Sequence, residues 1–431
     1  MSTTDIRPTI EAVWRIEAAR LVAGLVRMVR DVGLAEELAQ DALVAALEAW
    51  PEAGIPDNPG AWLMATAKRR AVDRFRRNKM AERKHEEIAY GLEQDQAMTP
   101  DPAIALDDHV GDDLLGLIFV ACHPVLSAEA RVAMALRLLG GLSTDEIARA
   151  FLVSEPTMAQ RIVRAKRTLA EAGVAFEVPR GEEMTARLAS VLEVIYLIFN
   201  EGYAATAGDD WMRPRLCEEA LRLGRILAEL TPDQSEVHGL VALMEIQTSR
   251  FAARTGADGE PVLLLDQNRA RWDRLLIRRG LAALERGQAI ADPPGPYLLQ
   301  AAIAACHARA RTPEETDWVR IAALYAALCE IAPSPVVDLN RAVAVAFAFG
   351  PEAGLARLDG LLEEKALKDY HLLPSVRGDL LEKLGRHGEA EAEFLRAADM
   401  TRNARERAML LARAVKASEA RMPTLKTERT G

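Results

Sequence analysis

Two capped helix starts stand eleven residues apart in LSTDEIARAFLVSEPTMAQRIVRAKRTL (142–169), and no other stretch restricts the fold of the chain as tightly. Ser143 is a good N-cap, Glu146 three residues on completes a capping box, and Leu142 can staple onto Ile147. Ser154 then caps a second start, with Val153 placed to staple onto Met158 and Pro156 tolerated in the first turn. Two such helices joined by a short turn through Phe151 and Leu152 make a helix-turn-helix. Leu152 stands where many such turns have glycine. On the second helix Met158, Ile162, Ala165 and Leu169 share one side, and Thr157, Gln160, Arg161, Arg164, Arg167 and Thr168 share the other. That second face carries groups able to reach base edges in a major groove, with arginines also available to phosphates. A solvated basic side of an ordinary amphipathic hairpin is the competing reading.

A second basic helix is written into AWLMATAKRRAVDRFRRNK (61–79). Leu63, Met64, Ala67, Ala71 and Phe75 fall on one side, while Trp62, Thr66, Arg69, Asp73, Arg76 and Arg77 fall opposite. Guanidinium groups pair with phosphates and bases, and an indole can stack on an unpaired base, so this face suits nucleic acid. Before it, residues 9–50 read as two helices broken near Asp31-Val32-Gly33. The second, Leu34 to Trp50, turns Leu38, Ala42, Leu43, Leu47 and Trp50 inward. Pro51, Gly54, Pro56, Pro59 and Gly60 then make a turn-rich loop.

The rest of the chain reads as all-α. Of 431 residues half are hydrophobic and only 5% aromatic, Ala and Leu dominate, and β-branched runs of period two are hard to find. The net charge of −10 matters less than its distribution: 68–84 is strongly basic, whereas 86–113 holds nine acidic residues and no Lys or Arg. Polar, acidic and interrupted by Pro100 and Pro102, 84–113 reads as a linker. Cys122, Cys217, Cys306 and Cys329 are scattered without a CxxC pair, which fits reduced core thiols in the cytoplasm, and no metal or cofactor is expected. Neither a secretory signal nor an apolar run of roughly 20 residues is found, so no membrane contact is expected.

From Met184 onward the pattern is of helices in antiparallel pairs. Near the end Gly378, Leu381, Leu384, Gly385, Ala390, Phe394 and Ala397 stand at offsets resembling a tetratricopeptide (TPR) repeat, in which small residues let two helices approach and an aromatic fills the gap. The other pairs match loosely, giving an irregular α-helical repeat whose natural product is a concave binding surface.

The order of these motifs resembles an RNA polymerase sigma factor of the extracytoplasmic-function (ECF) group: AWLMATAKRRAVDRFRR resembles sigma region 2, and LSTDEIARAFLVSEPTMAQRIVRAKRTL resembles sigma region 4. The tail resembles the helical-repeat extension of a long-tailed subset of that group. The expected division is region 2 over 1–83, an acidic linker over 84–113, region 4 over 114–178 and a TPR-like domain over 184–420. The resemblance implies core RNA polymerase and promoter DNA as partners. It places core-polymerase contacts at Gln40, Asp41 and Val44. Binding of the downstream promoter element and strand opening fall to Trp62, Thr66, Arg69, Arg70, Asp73, Arg76 and Arg77. Reading of the upstream element as duplex falls to Thr157, Gln160, Arg161, Arg164, Arg167 and Thr168. It further implies a linker lying in the polymerase channel, and a C-terminal domain that acts in cis and takes a regulatory protein or ligand.

Two other readings compete. A conventional DNA-binding regulator with a helical-repeat sensor would need neither Trp62 nor a polymerase-facing helix. An enzyme in the C-terminal half would have to use clusters such as Asn200-Glu201-Tyr203 or Asp266-Gln267-Asn268-Arg269, but the sequence has no nucleophile–base pair, HExxH or phosphate loop to go with them, and the chain is read as non-enzymatic.

Overall fold

The computed structural model describes residues 6–89, 110–151, 153–204, 212–256, 260–291 and 293–421. Among them the regular structure is helical, apart from one isolated β-bridge between Thr255 and Pro261. The chain forms two compact units, divided between Leu197 and Ile198.

The first unit begins with α1 (Arg7–Val29), α2 (Val32–Ala53) and α3 (Pro59–Ala89). Alanines line their meeting faces: Ala18, Ala19 and Ala23 of α1, Ala35, Ala39, Ala42 and Ala46 of α2, and Ala67 and Ala71 of α3 are all buried. Small side chains at these positions let the backbones approach closely, and Leu21, Leu25, Leu38, Leu63 and Trp50 fill the space between. Asp31 caps α2 by accepting from Leu34 N–H at 2.6 Å. Pro51 does not end that helix; its last turn runs on to Ala53, with Gly54 following at φ +85°. Leu47 is 39% exposed and Phe75 46%, so neither joins the core side expected of it. α3 also continues to Ala89, past the expected boundary at 84, and the next helix starts at Val110, leaving 90–109 of the acidic segment outside the described residues.

α4 (Val110–Ala121) is buried along its second half on every side, as an all-round apolar helix must be. α1 and α5 (Ala128–Leu138) pack against it, and α6 (Thr144–Ala150) and α7 (Glu155–Glu171) pack on α5 and on each other. α8 (Gly181–Tyr203) then packs its first turns onto the same unit: Arg187 donates to Phe119 O (3.0 Å), Ser190 donates to Cys122 O (2.7 Å), and Arg131 reaches Ser190 (2.5 Å) and Glu193 (2.9 Å). The compact division therefore falls well beyond 184, because these polar groups bind the helix start to the first unit.

The second unit holds the end of α8, then α9 (Pro214–Leu230), α10 (Ser235–Thr248), α11 (Arg274–Ile290), α12 (Pro296–Arg309), α13 (Trp318–Ile331), α14 (Pro335–Phe349), α15 (Pro351–Asp359), α16 (Leu372–Lys383), α17 (His387–Met400) and α18 (Ala404–Arg421). Pro214, Pro296, Pro335 and Pro351 each open a helix, where the missing N–H costs nothing. Packing is mostly between chain neighbours, as in a repeat array. α10 and α12 are the most enclosed, and they meet at Gly239, where a Cβ would lie 2.7 Å from Leu298 N. Further on, the fully buried Phe394 ring fills the space over Gly378, where a Cβ would meet it at 2.7 Å. That is the small-plus-aromatic pairing of a TPR hairpin.

His307, in α12, is buried with its ring edge-on to Trp318 at 5.1 Å. Burial, then Arg250 and Arg269, hold its pKa down at about 4, against an ordinary 6.5. Between those values the unfolded chain takes a proton that the folded unit refuses. Stability is thus complete above pH 6.5 and is lost as pH falls toward 4, by about 3 kcal/mol for a shift of this size. Urea denaturation at pH 7 and pH 4.5 should show this loss in the second unit, and His307→Gln should flatten that part of the profile.

Candidate nucleic-acid interface

α3 starts cleanly because Asn58 accepts from Ala61 N–H at 3.0 Å. Its cations then divide into two rows. Arg70 faces Asp41 (3.4 Å) and Arg74 faces Glu37 (2.6 Å), so this row is matched by acids of α2. The other row, at helical spacing, is Trp62, Thr66, Arg69, Asp73, Arg76 and Arg77, of which Arg69, Asp73, Arg76 and Arg77 are exposed and Trp62 and Thr66 half-buried. Trp62 sets its ring edge-on to the sealed Trp50 at 5.3 Å and 66°, which fixes the indole while leaving part of it open. Arg77 Nε donates to Asp73 O at 3.3 Å. Of the expected strand-opening residues, Arg70 is thus the one drawn away, into an ion pair with α2.

Among the expected polymerase contacts on α2, Val44 is 49% exposed and Asp41 is exposed beside Arg70. Gln40 is half-buried and donates to Glu36 Oε1 at 2.6 Å.

The helix-turn-helix is built from α6 and α7. Ser143 Oγ accepts from Glu146 N–H (3.1 Å) and Glu146 Oε2 accepts from Ser143 N–H (2.9 Å), completing the capping box. Ser154 caps α7 by accepting from Thr157 N–H at 3.3 Å, and the two hydroxyls lie 2.7 Å apart. Leu152 of the turn lies outside the described residues. Met158, Ile162, Ala165 and Leu169 are buried, so the opposite face is turned outward. Thr157, Gln160, Arg161, Arg164 and Thr168 line one groove of about 360 Å³, closed on its far side by Val125, Leu126, Ser127 and Ala130 at the start of α5. Arg167 is exposed and pairs with Glu171 at 2.9 Å, outside that groove.

The α5 wall was not among the expected site residues, although Ser127-Ala128-Glu129 has the form of a capped start: Ser127 accepts from Ala130 N–H at 3.3 Å. The Glu129 carboxyl is held below the usual range by its own backbone N–H and by Ser127, with Arg161 and Arg131 adding to the effect. Lys166, next to the reading face, has a different partner. It forms an ion pair with Glu36 of α2, whose other oxygen accepts from Arg137 Nε of α5 at 2.5 Å. Glu36 is only 5% exposed. Arg137 also donates to Leu142 O (3.0 Å), and Arg15 of α1 reaches the capping-box Glu146 at 3.0 Å. Separations of 101 residues between Glu36 and Arg137, and 131 between Arg15 and Glu146, put these pairings beyond any local pattern.

A helix-turn-helix with an open basic groove, in one compact unit with a helix carrying an aromatic and arginine row, defines a DNA-binding transcription factor of two-element type. Comparison with known proteins makes the class specific. Residues 16–80 match the model for Sigma-70 region 2 and residues 117–169 that for Sigma-70 region 4. Residues 187–288 match a family of unknown function (DUF6596). The ECF RNA polymerase sigma factor SigK of Mycobacterium sp. (strain KMS) is 32% identical over 152 residues, which are 33% of this chain and 72% of SigK. The probable ECF RNA polymerase sigma factor SigI of Mycobacterium tuberculosis (strain CDC 1551 / Oshkosh) is 31% identical over 172 residues, 39% of this chain and 57% of SigI. Along nearly its whole length the chain is similar to the uncharacterized protein R00370 of Rhizobium meliloti (strain 1021), 45% identical over 391 residues, 90% of this chain and 91% of that one. The chain belongs to the ECF RNA polymerase sigma factors, with a DUF6596 region following region 4.

Removing one member of a buried charge cluster leaves the others uncompensated. Glu36→Gln should therefore lower the unfolding free energy of the first unit by roughly 3 kcal/mol, measured by urea denaturation. Arg15→Ala, which breaks a half-exposed pair, should cost less than about 1 kcal/mol.

Proposed function

We propose that this sigma factor divides initiation among its segments as follows. Residues 1–83 act as region 2, 84–113 as a linker in the polymerase channel, 114–178 as region 4, and 184–420 as a TPR-like regulatory domain. In region 2, Gln40, Asp41 and Val44 contact core polymerase. Trp62, Thr66, Arg69, Asp73, Arg76 and Arg77 bind the downstream element and hold its opened strand, joined by Arg70 once it leaves Asp41. Thr157, Gln160, Arg161, Arg164 and Thr168 read the upstream element in the major groove, and Arg167 contacts phosphate. The single observation that carries this reading is the gathering of those five side chains in one outward groove, on a helix whose start is fixed by Ser154. The work takes place in the cytoplasm, where core polymerase is.

The two surfaces should fail differently. Arg164→Ala or Gln160→Ala should weaken closed-complex binding by ~1–3 kcal/mol where the side chain makes a good base contact, read by a mobility shift with the reconstituted holoenzyme. Trp62→Ala should leave that binding nearly intact and reduce permanganate reactivity of the promoter bubble. Full opening by the Trp62 variant would end its assignment to the unpaired strand.

The tail, in this reading, controls the sigma portion in cis in response to a protein or ligand, and it is not catalytic. Its buried and half-buried charges support a structural use: Glu245 is held by Arg225 (2.9 Å) and Arg279 (3.3 Å), and Arg413 by Asp379 and Glu382 (both 2.7 Å). A tethered domain acts at high local concentration, so weak contacts suffice. Truncation should be made after Tyr203, because a cut near Pro179 would also remove Arg187 and Ser190 from the first unit. We expect the truncated factor to lose promoter-specific transcription in a purified system while retaining binding to core polymerase; unchanged transcription would exclude control in cis.

A further inference from the structure

The second unit contains a cluster of buried cations that nothing above uses. Arg250, Arg254 and Arg269 are 9%, 5% and 6% exposed, and they meet around two aromatic rings. The Arg254 guanidinium lies 3.5 Å from the centre of the Tyr203 ring, and that of Arg250 lies 5.7 Å from Tyr203 and 6.0 Å from Trp272. Arg269 lies 4.9 Å from Trp272 on the same ring. Burial, and then the charges of Arg250 and Arg269, favour the uncharged imidazole of His307.

Charges buried this deeply are normally matched by carboxylates, as Glu245 and Glu36 are matched by arginines elsewhere in the chain. Among the described residues Arg250 and Arg269 have neutral hydrogen-bond partners instead. Arg250 donates to the Tyr203 hydroxyl and to Gln247 Oε1. Arg269 donates to His307 O (2.7 Å), Ala310 O (2.8 Å) and Thr316 Oγ1 (3.1 Å). Among the described residues no carboxylate forms an ion pair with either. Among the described residues the cluster also holds buried nitrogens with no hydrogen-bond partner: Arg250 Nε, Arg269 Nε, Trp272 Nε1 and His307 Nδ1. The first three are obligatory N–H donors and the fourth can be one, so unspent donors accompany the two guanidinium charges, of Arg250 and Arg269, that form no ion pair among the described residues.

We propose that this cluster is a binding site for a small molecule bearing an oxyanion, a carboxylate or a phosphate, with Arg250 as its principal charge and Trp272 and His307 as neutral donors. An acceptor-only anion satisfies unspent N–H groups and compensates the buried guanidinium together, which no neutral ligand does. Arg269, spent on the carbonyls after α12, positions Trp272 and the end of α12 and offers only its Nε. The site concerns binding alone and stands whether or not the tail controls initiation in cis.

The test uses the full-length protein and two probes, inorganic phosphate and acetate, each titrated at constant ionic strength against chloride. Thermal unfolding of the wild type should show a saturable rise in Tm with at least one probe, and the stronger probe identifies the anion class. Arg250→Met should abolish that rise, and in chloride alone it should melt no lower than wild type, because it removes a cation that lacks a carboxylate. Should Arg250→Met fail to fold, Arg250→Lys serves, and it should weaken the better probe at least tenfold because the Nε donor and the planar fork are lost. Arg271→Met, an exposed neighbour, should respond as wild type does. No saturable response to either probe, or an equal response in the Arg250 and Arg271 variants, would overturn the proposal.

Discussion

The first unit depends on one nearly sealed carboxylate. Glu36 sits near the start of α2, and a charge so placed is tolerated only because three groups converge on it: Arg137 from α5 and Gln40 from its own helix donate to Oε1, and Lys166 from α7 forms an ion pair with Oε2. Each of these groups belongs to an element with other proposed work: α2 is the helix implied for polymerase contact, α7 carries the face proposed to read the upstream element, and α5 supplies the far wall of its groove. Buried electrostatics thus ties the parts that would meet polymerase to the parts that would read DNA.

A tie of this kind restricts the conformations a sigma factor can use. While Glu36 holds Lys166, the position of α7 is set by α2, and the spacing of the two DNA-facing surfaces is set with it. Arg15 on Glu146 adds a second, half-exposed tie at the very carboxylate that closes the capping box of α6. Any separation of region 4 from region 2 must provide new partners for a buried carboxylate and two cations, at a cost that surface pairs would not impose. Acidic groups on a partner could receive Lys166 and Arg137; water at an opened interface could receive Glu36.

What the sequence disclosed was whatever depends on near neighbours. The capping box at Ser143, the second cap at Ser154 and the inward row of α7 are local, and each is present. Even Phe394 over Gly378 was legible, because both partners lie within one helical hairpin. The misreadings have a common cause. Leu47 and Phe75 fit an apolar row by spacing, yet nothing packs over them sufficiently to cover them, and the period of a helix says nothing about how far its neighbours extend. The first turns of α8 read as the start of the tail, but Arg131, Arg187 and Ser190 bind them to the first unit through pairings some 60 to 70 residues apart in the chain.

Arginine shows most clearly where composition stops being informative. In sequence Arg69 and Arg70 are adjacent and equivalent; in the fold the first is free to meet a phosphate and the second faces Asp41. Arg137 resembles any basic residue at a helix end and is in fact half of a buried bridge. In the sequence Arg269 stands out only within the cluster Asp266-Gln267-Asn268-Arg269, and Arg250 not at all, yet both are sealed among aromatic rings, with neutral oxygens as their hydrogen-bond acceptors among the described residues. A guanidinium takes its role from the acceptor it finds: carboxylate, carbonyl, solvent or an anion from outside. Three of these choices are filled from within the chain or by water, and each leaves its own signature in burial and pairing. Among the described residues Arg250 and Arg269 combine burial with the lack of a carboxylate ion pair, a combination that neither the ion-paired nor the solvated arginines display, and that is the physical reason the cluster reads as a site for an anion from outside.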